Sequence, residues 1–325
     1  MPATPEWPPR SAPRLFVEQE LSSKQPVQVE GNQAHYLAKV MRVSPGDAVI
    51  LCDDISGEWA AEVVETGKRH VLLQPTDHLR PREPVPDFWL CAALLKKDRF
   101  DIVLEKATEL GVARISPIVT RRCVADKLNP ERADTIVTEA AEQCARTALP
   151  EIAPVTKLDA LLRDWPQERH LFFADEEGGE AAADAFCYAE GPAALLVGPE
   201  GGFDDAERAA IRAHPASVAI SLGPRILRGE TICGSGIFLS VVELGQPFLD
   251  VDPFDDFTRD HRQAKLPQPL VHPISGPGRI RVQGPPRQRT ARQGPRRGAA
   301  LSQRFQFALS NEVRRQRVRD DLVFL

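Results

Sequence analysis

The sequence predicts a small β-barrel, then an α/β layered domain, then a tail that builds no core of its own. Three observations carry this. Residues 14–82 hold short apolar stretches between turn signals, and from Phe88 onward strand-like and helix-like segments alternate. Beyond Pro253, Pro, Gln, Arg and Gly dominate with no sustained apolar period, which predicts disorder over 251–325. At 325 residues with 42% hydrophobic content, the chain suffices for about two domains.

Residues 1–13 form a proline-rich leader without the apolar stretch of a secretory signal. The barrel strands are read at Arg14 to Val17, Val27 to Val29, Ala48 to Cys52, Glu58 to Val64 and His70 to Leu73. Between them, Asn32 to Val43 reads as a helix, with Ala34, Leu37, Ala38 and Met41 on one face and Lys39 and Arg42 off it. Ser44-Pro45-Gly46-Asp47 makes a turn. Arg80 to Asp87 holds three prolines and little that can be buried, so it reads as an interdomain linker.

In the layered domain, expected over 86–250, Phe88 to Leu95 is a buried-type strand. A helix follows over Phe100 to Leu110, with Phe100, Val103, Leu104, Ala107 and Leu110 on its apolar face and Gly111 as its C-terminal cap. Ile115 to Val119 is the next strand. Glu131 to Ala148 reads as a helix with Ile136, Ala140 and Cys144 on one stripe and Glu142 and Arg146 at i,i+4 spacing. Leu171 to Ala174, Ala194 to Val197 and Val218 to Leu222 complete the strands. Asp204 and Glu207 are spaced as a capping box for a helix through Ile211.

Charge is divided unevenly. Residues 1–250 carry 26 Lys and Arg against 39 Asp and Glu, a net of −13. Residues 251–325 carry 15 against 7, a net of +8, and 14 of those 15 are Arg. The total of −5 thus describes neither part and does not exclude an anionic partner. The six cysteines have no close pairing and no His at metal-ligand spacing, which predicts reduced thiols and no metal. No apolar run is long enough to span a bilayer. These features exclude a disulfide scaffold and a membrane span, and together they predict a cytoplasmic protein.

The most informative stretches are Leu195 to Phe203 (LLVGPEGGF) and Ser221 to Arg228 (SLGPRILR). In each, an apolar strand opens into a Gly-Pro loop. Such a strand end frees backbone amides and carbonyls for close approach to a ligand. A Gly-x-Gly-x-x-Gly turn after an early strand is absent, which argues against a dinucleotide-type fingerprint.

These two loops resemble those of the SPOUT methyltransferases with a trefoil knot, and within them the RsmE-type enzymes that methylate N3 of a uridine in 16S ribosomal RNA. Three further phrases carry the resemblance: Gly31 to Asp47 (GNQAHYLAKVMRVSPGD), Leu94 to Cys123, and Glu139 to Ile152 (EAAEQCARTALPEI). It implies a PUA-like RNA-binding barrel and a knotted α/β methyltransferase domain. It also implies a homodimer, S-adenosyl-L-methionine as methyl donor, no metal, and 16S rRNA or the small ribosomal subunit as partner. Carried over residue by residue, the cofactor site falls on Gly198, Pro199, Glu200, Gly201, Gly202, Leu222, Gly223, Ile226 and Leu227.

N3 of uridine is a weak acid, so a cation beside it favours the deprotonated base. Arg225 and Arg228 are the candidates; for Arg228 a structural salt bridge is the alternative. Glu200 either takes the proton or braces the loop. Basic clusters at Lys39 and Arg42, Lys68 and Arg69, Lys96, Lys97 and Arg99, and Arg121 and Arg122 meet either phosphates or only solvent. The resemblance favours Lys96, Arg99 and Arg122 for RNA. It also places Glu142, Gln143 and Arg146 either at the pocket edge or in helix packing, with Arg146 joining Lys39 and Arg42 as a further RNA-binding candidate, and gives His35 a structural role.

The pattern departs from the family at Gly229 to Gly236 (GETICGSG), where an Ala-rich helix is expected. Glu230 and Thr231 still fit, but each interior glycine costs about 1 kcal/mol against Ala. Ile237, Phe238, Val241, Val242 and Leu244 still allow a short helix. With the Arg-rich, Lys-poor tail, this suggests a shifted reading frame near Thr231, against a genuine basic extension as the alternative. The rival functions are a non-catalytic RNA-binding protein with an impaired knot, and a knotted methyltransferase with another RNA target.

Overall fold

The barrel segment forms a single five-stranded sheet because its apolar residues recur at strand spacing around one cluster. The structure, a computed structural model, describes residues 7–243 except positions 188 and 226, with side chains to residue 240. Ile226, Leu244 and the tail over 251–325 therefore lie outside the described residues, as do the side chains of Val241 and Val242.

Strands β1 (Arg14–Phe16), β2 (Val27–Glu30), β3 (Ala48–Cys52), β4 (Glu58–Thr66) and β5 (His70–Arg80) order as β1-β3-β4-β5-β2. Only β1 and β3 run parallel. Their inward residues, among them Leu15, Val29, Leu51, Val63 and Leu73, close on Ala34 and Leu37 of the intervening helix. That helix differs from the expected one: α1 (Gly31–His35) continues as a π-helix over Tyr36–Met41. The wider turn moves Met41 off the apolar face, so it is exposed while Leu37 is fully buried. Arg42 ends the segment in the left-handed region, at φ 57°.

The expected linker is pinned rather than loose. Glu58, nearly buried, accepts from Arg14 and Arg80, and Arg80 also donates to the carbonyl of Ala145 in the second layer. Arg82 pairs with Asp54 at 3.0 Å. The Glu83 amide donates to Thr147 Oγ1 at 2.8 Å, and the Thr147 amide donates back to Glu83 Oε1 at 2.9 Å. The Phe16 amide donates to Glu142 Oε1 at 2.8 Å across the same junction.

The second sheet is parallel throughout. It comprises β6 (Phe88–Ala93), β7 (Arg114–Val119), β8 (Glu151–Ile152), β9 (Thr156–Lys157), β10 (His170–Ala174), β11 (Glu180–Ala181), β12 (Ala193–Val197) and β13 (Ser217–Ser221). The order is β11-β13-β10-β12-β6-β7-β8, with β9 also on β7. Helices cover both faces. On one, α2 (Lys97–Glu109), α3 (Pro130–Cys144), α5 (Ala182–Cys187) and α7 (Gly229–Glu243) pack on residues such as Leu90, Phe172 and Leu195. On the other, α4 (Leu158–Arg163) and α6 (Asp205–Ala213) pack on Cys91, Phe173 and Leu196. Among the described residues no helix is long and apolar enough to cross a membrane.

Helix α2 ends as expected. Gly111 at φ +85° donates to the Thr108 carbonyl and Val112 to that of Ala107. Helix α3 stops at Cys144, four residues short of expectation, because Ala145 turns left-handed at φ 61°. Its buried stripe is Ala133, Val137, Ala140 and Ala141, not one that includes Cys144, which is exposed. The expected Glu142–Arg146 pair is not made. Glu142 faces Phe16, and Arg146 donates to the carbonyls of Thr108 and Val112, each at 2.8 Å.

Helix α7 forms despite Gly234 and Gly236. It follows β13 but packs over β12 and β6 and against α2 and α5. Gly236 permits that approach, since a Cβ there would lie 2.5 Å from Leu195 Cδ2.

Candidate active site

The carboxyl ends of β10, β12 and β13 open on one cavity of about 370 Å³, the crevice where parallel α/β sheets bind ligands. Its walls are the residues after β10, the Gly198–Phe203 loop after β12, the loop from Leu222 after β13, and the start of α7.

Gly198 lies against Phe203, where a Cβ would come 2.8 Å from the ring. Phe203 is itself buried edge-on to Phe173 at 5.3 Å. Gly202 turns at φ +65°, and its amide donates to the Pro199 carbonyl at 2.9 Å. The loop is held from outside by Arg122 Nη1, which donates to the Gly201 carbonyl at 2.9 Å, and by Arg99 Nη1, 3.5 Å from Glu200 Oε1. The expected capping box then starts α6. Asp204 accepts from the Glu207 amide at 2.7 Å and Glu207 from the Asp204 amide at 3.1 Å. The Glu207 amide, then Arg121, hold the Asp204 carboxyl below its usual range.

The other loop turns at Gly223, φ +116°, with open space where a Cβ would stand. Arg225 and Arg228 are exposed and line the cavity, and neither makes an ion pair among the described residues. Just beyond, Glu230 Oε2 is buried with no hydrogen-bond partner.

The structure thus gathers Gly198, Pro199, Glu200, Gly202, Leu222, Gly223, Arg225, Leu227 and Arg228 round one space, with Arg99 added. Gly201 lies against Arg122 instead of on the wall. Lys39 and Arg42 are exposed on the barrel and Lys96 is exposed at the start of α2. Arg146 requires correction as an RNA contact: it is 6% exposed and its guanidinium is committed to two backbone carbonyls, leaving no face for a phosphate.

Three wall residues escaped the sequence reading. Asp175 and Glu176 follow β10, and Arg208 of α6 reaches both. The available signal was Asp175-Glu176-Glu177-Gly178-Gly179 directly after a strand. Among the described residues no three His, Cys, Asp or Glu converge as a metal site.

A family model for the RNA methyltransferase domain matches residues 81–235, and one for the RNA methyltransferase PUA domain matches residues 29–76. The fold is therefore that of an RNA methyltransferase with an N-terminal PUA-like domain. A Synechocystis sp. protein named ribosomal RNA small subunit methyltransferase E is 30% identical over 227 residues, which is 67% of this chain and 73% of that protein. A Neisseria gonorrhoeae structure with the same name, bound to S-adenosyl methionine, is 27% identical with a TM-score of 0.64, covering 71% of this chain and 97% of that one. A putative methyltransferase from Legionella pneumophila, in complex with the cofactor SAM, matches with the same identity, coverage and TM-score. The chain belongs to the ribosomal RNA small subunit methyltransferase E family.

Proposed function

We propose that this chain transfers a methyl group from S-adenosyl-L-methionine to N3 of a uridine in 16S rRNA, in the cytoplasm and as a homodimer. The observation that carries the proposal is the convergence of both glycine-bearing loops and three arginines, Arg99, Arg225 and Arg228, on one cavity. Family membership supports the donor and the substrate class.

The cavity suits the donor: open space at Gly223 and the left-handed turn at Gly202 leave backbone close to a ligand, among apolar Phe203, Leu222, Leu227 and Ile232. When bound, S-adenosylmethionine supplies an already activated methyl group, so the protein's work is positioning and exclusion of water. The Gly198–Gly202 and Leu222–Leu227 segments hold the adenosyl part through backbone groups. Arg225 and Arg228, free of acidic partners, stabilise the uracil anion left when N3 loses its proton. Glu200 stands on the same wall beside Arg99, placed to accept that proton or to brace the loop. Retention of methyl-donor binding with loss of turnover in Glu200→Gln assigns the first role.

Lys39, Arg42, Lys96, Arg99 and Arg122 contact RNA phosphates. The return of α7 across β12 and β6 after β13 supports a knotted path. Exposed Ile102 and Phe238, on the mutually packed α2 and α7, support a second copy docking there.

The test is methyl transfer from labelled donor to small subunits lacking the modification, mapped by reverse transcription, which stops at an N3-methylated uridine because pairing is blocked. One stop is expected, lost in Arg228→Ala. Full transfer by Arg228→Ala removes that residue from the mechanism. A chain that binds RNA but no methyl donor overturns the proposal in favour of a non-catalytic RNA-binding protein.

A further inference from the structure

Glu176 lies on the cavity wall without a part in the scheme above. It stands just past β10, whose end is fixed by its neighbour. The Asp175 amide donates to the Ile220 carbonyl at 3.1 Å, and the wholly buried Asp175 carboxylate accepts from Arg212 Nε at 2.8 Å and lies 3.3 Å from Arg208 Nε. Arg208, itself buried, extends Nη2 to Glu176 Oε1 at 2.5 Å and Nη1 to Glu177 Oε1 at 2.6 Å. The guanidinium thus aims Glu176 by one oxygen. Oε2 has no protein donor among the described residues.

The opposite constraint comes from Gly202. A Cβ there would lie 2.6 Å from Glu176 Oε1 and 3.0 Å from Oε2, so the carboxylate rests against the backbone of the loop that follows β12. Glu176 therefore bridges two walls of the cavity, held by a buried cation on one side and a side-chain-free residue on the other. Nothing in that arrangement serves packing, because the Glu176 side chain is 54% exposed.

We propose that Glu176 accepts hydrogen bonds from the ribose hydroxyls of the bound nucleoside, an inference that rests on reading the cavity as the S-adenosylmethionine site. A carboxylate at the carboxyl end of a central parallel strand, beside a glycine loop, is well placed for a vicinal diol. Arg208 also serves Asp175 and Glu177, so it neutralises Glu176 only in part. Its remaining lone pairs still accept from neutral hydroxyls. The unpaired arginines of the cavity, Arg225 and Arg228, suit anionic groups instead.

Calorimetric binding to the full chain tests this with three probes: S-adenosylhomocysteine, 5′-methylthioadenosine, which lacks the amino-acid part, and the 3′-deoxy form of the latter. Removing the hydroxyl should weaken binding to the unaltered chain on the order of 10-fold, the worth of a hydrogen bond to a charged group. In Glu176→Ala that penalty should vanish, while S-adenosylhomocysteine and 5′-methylthioadenosine lose affinity by the same factor. Glu176→Gln, which keeps the shape and an acceptor, should fall between. Equal weakening of the hydroxylated and deoxy probes in Glu176→Ala marks a structural role and overturns the proposal. So does a loss confined to S-adenosylhomocysteine, which would assign the residue to the amino group. If the unaltered chain binds none of the probes, the reading of the cavity itself fails.

Discussion

Glycines 234 and 236 of α7 look equivalent in the sequence, yet the structure sets them opposite fates on substitution by Ala. A glycine inside a helix costs about 1 kcal/mol relative to Ala. At Gly234 nothing lies within 4 Å of the added Cβ, so Gly234→Ala should recover that amount, about 2–4 °C in melting temperature for a body of this size. At Gly236 the same gain meets Leu195 Cδ2 at 2.5 Å, roughly 1 Å inside ordinary carbon contact. Leu195 is fully buried in β12, so its side chain has to shift within the packed core to make room. Overpacking of this kind costs about 1–3 kcal/mol, so Gly236→Ala should end neutral to about 2 kcal/mol destabilised. Urea melts of the two variants, followed by circular dichroism, should therefore separate by about 1–3 kcal/mol. Because β12 leads directly into the Gly198–Phe203 loop, Gly236→Ala should also weaken methyl-donor binding while Gly234→Ala leaves it unchanged. Equal stabilisation by both variants would refute the close packing of α7 on β12.

Arg146→Ala should cost about 3–5 kcal/mol in thermal or urea unfolding, the range for breaking buried charged contacts, because the carbonyls of Thr108 and Val112 lose their donors and Glu83 loses a cation 3.8 Å away. Arg146→Lys should not rescue it, since one ammonium cannot span both carbonyls. Burial pushes Glu58 upward, but hydrogen bonds from Arg14 and Arg80 outweigh it and hold its carboxyl below the usual range. A lowered folded-state value means its stabilisation is fully present above about pH 4.5 and disappears as pH falls through the folded value. Arg80→Ala should then raise the midpoint of acid unfolding, and an unchanged midpoint would deny the pair any net contribution. Burial pushes the thiols of Cys52, Cys91 and Cys233 up to about 12, so iodoacetamide at neutral pH should label exposed Cys144 well ahead of them, as peptide mapping would show.

What the sequence made legible was local. The Gly-Pro loops, the Asp204–Glu207 box and the Gly111 cap depend on residues a few positions apart, and each takes the structure its residue types favour. What escaped it depends on register between distant segments. Glu176 matters only because β10, β12 and α6 bring it to Gly202 and Arg208, 26 and 32 residues away in sequence. Arg146 reads as part of the helix and as an RNA-binding candidate because nothing in the phrase Glu139 to Ile152 marks Ala145 as left-handed, a conformation more usual for glycine. The same distinction resolves the charge pattern. Internal ion pairs leave the net −13 of residues 1–250 in place, because each also uses a cation: Glu58 takes Arg14 and Arg80, Asp87 takes Arg169, Asp101 takes Arg132, and Asp175 takes Arg208 and Arg212. Lys39, Arg42, Lys96, Arg225 and Arg228 have no such partner among the described residues, and all are exposed. An anionic polymer approaching this surface meets cations whose attraction is not already satisfied, so an acidic body is compatible with a nucleic-acid substrate and the net charge is the wrong quantity to consult.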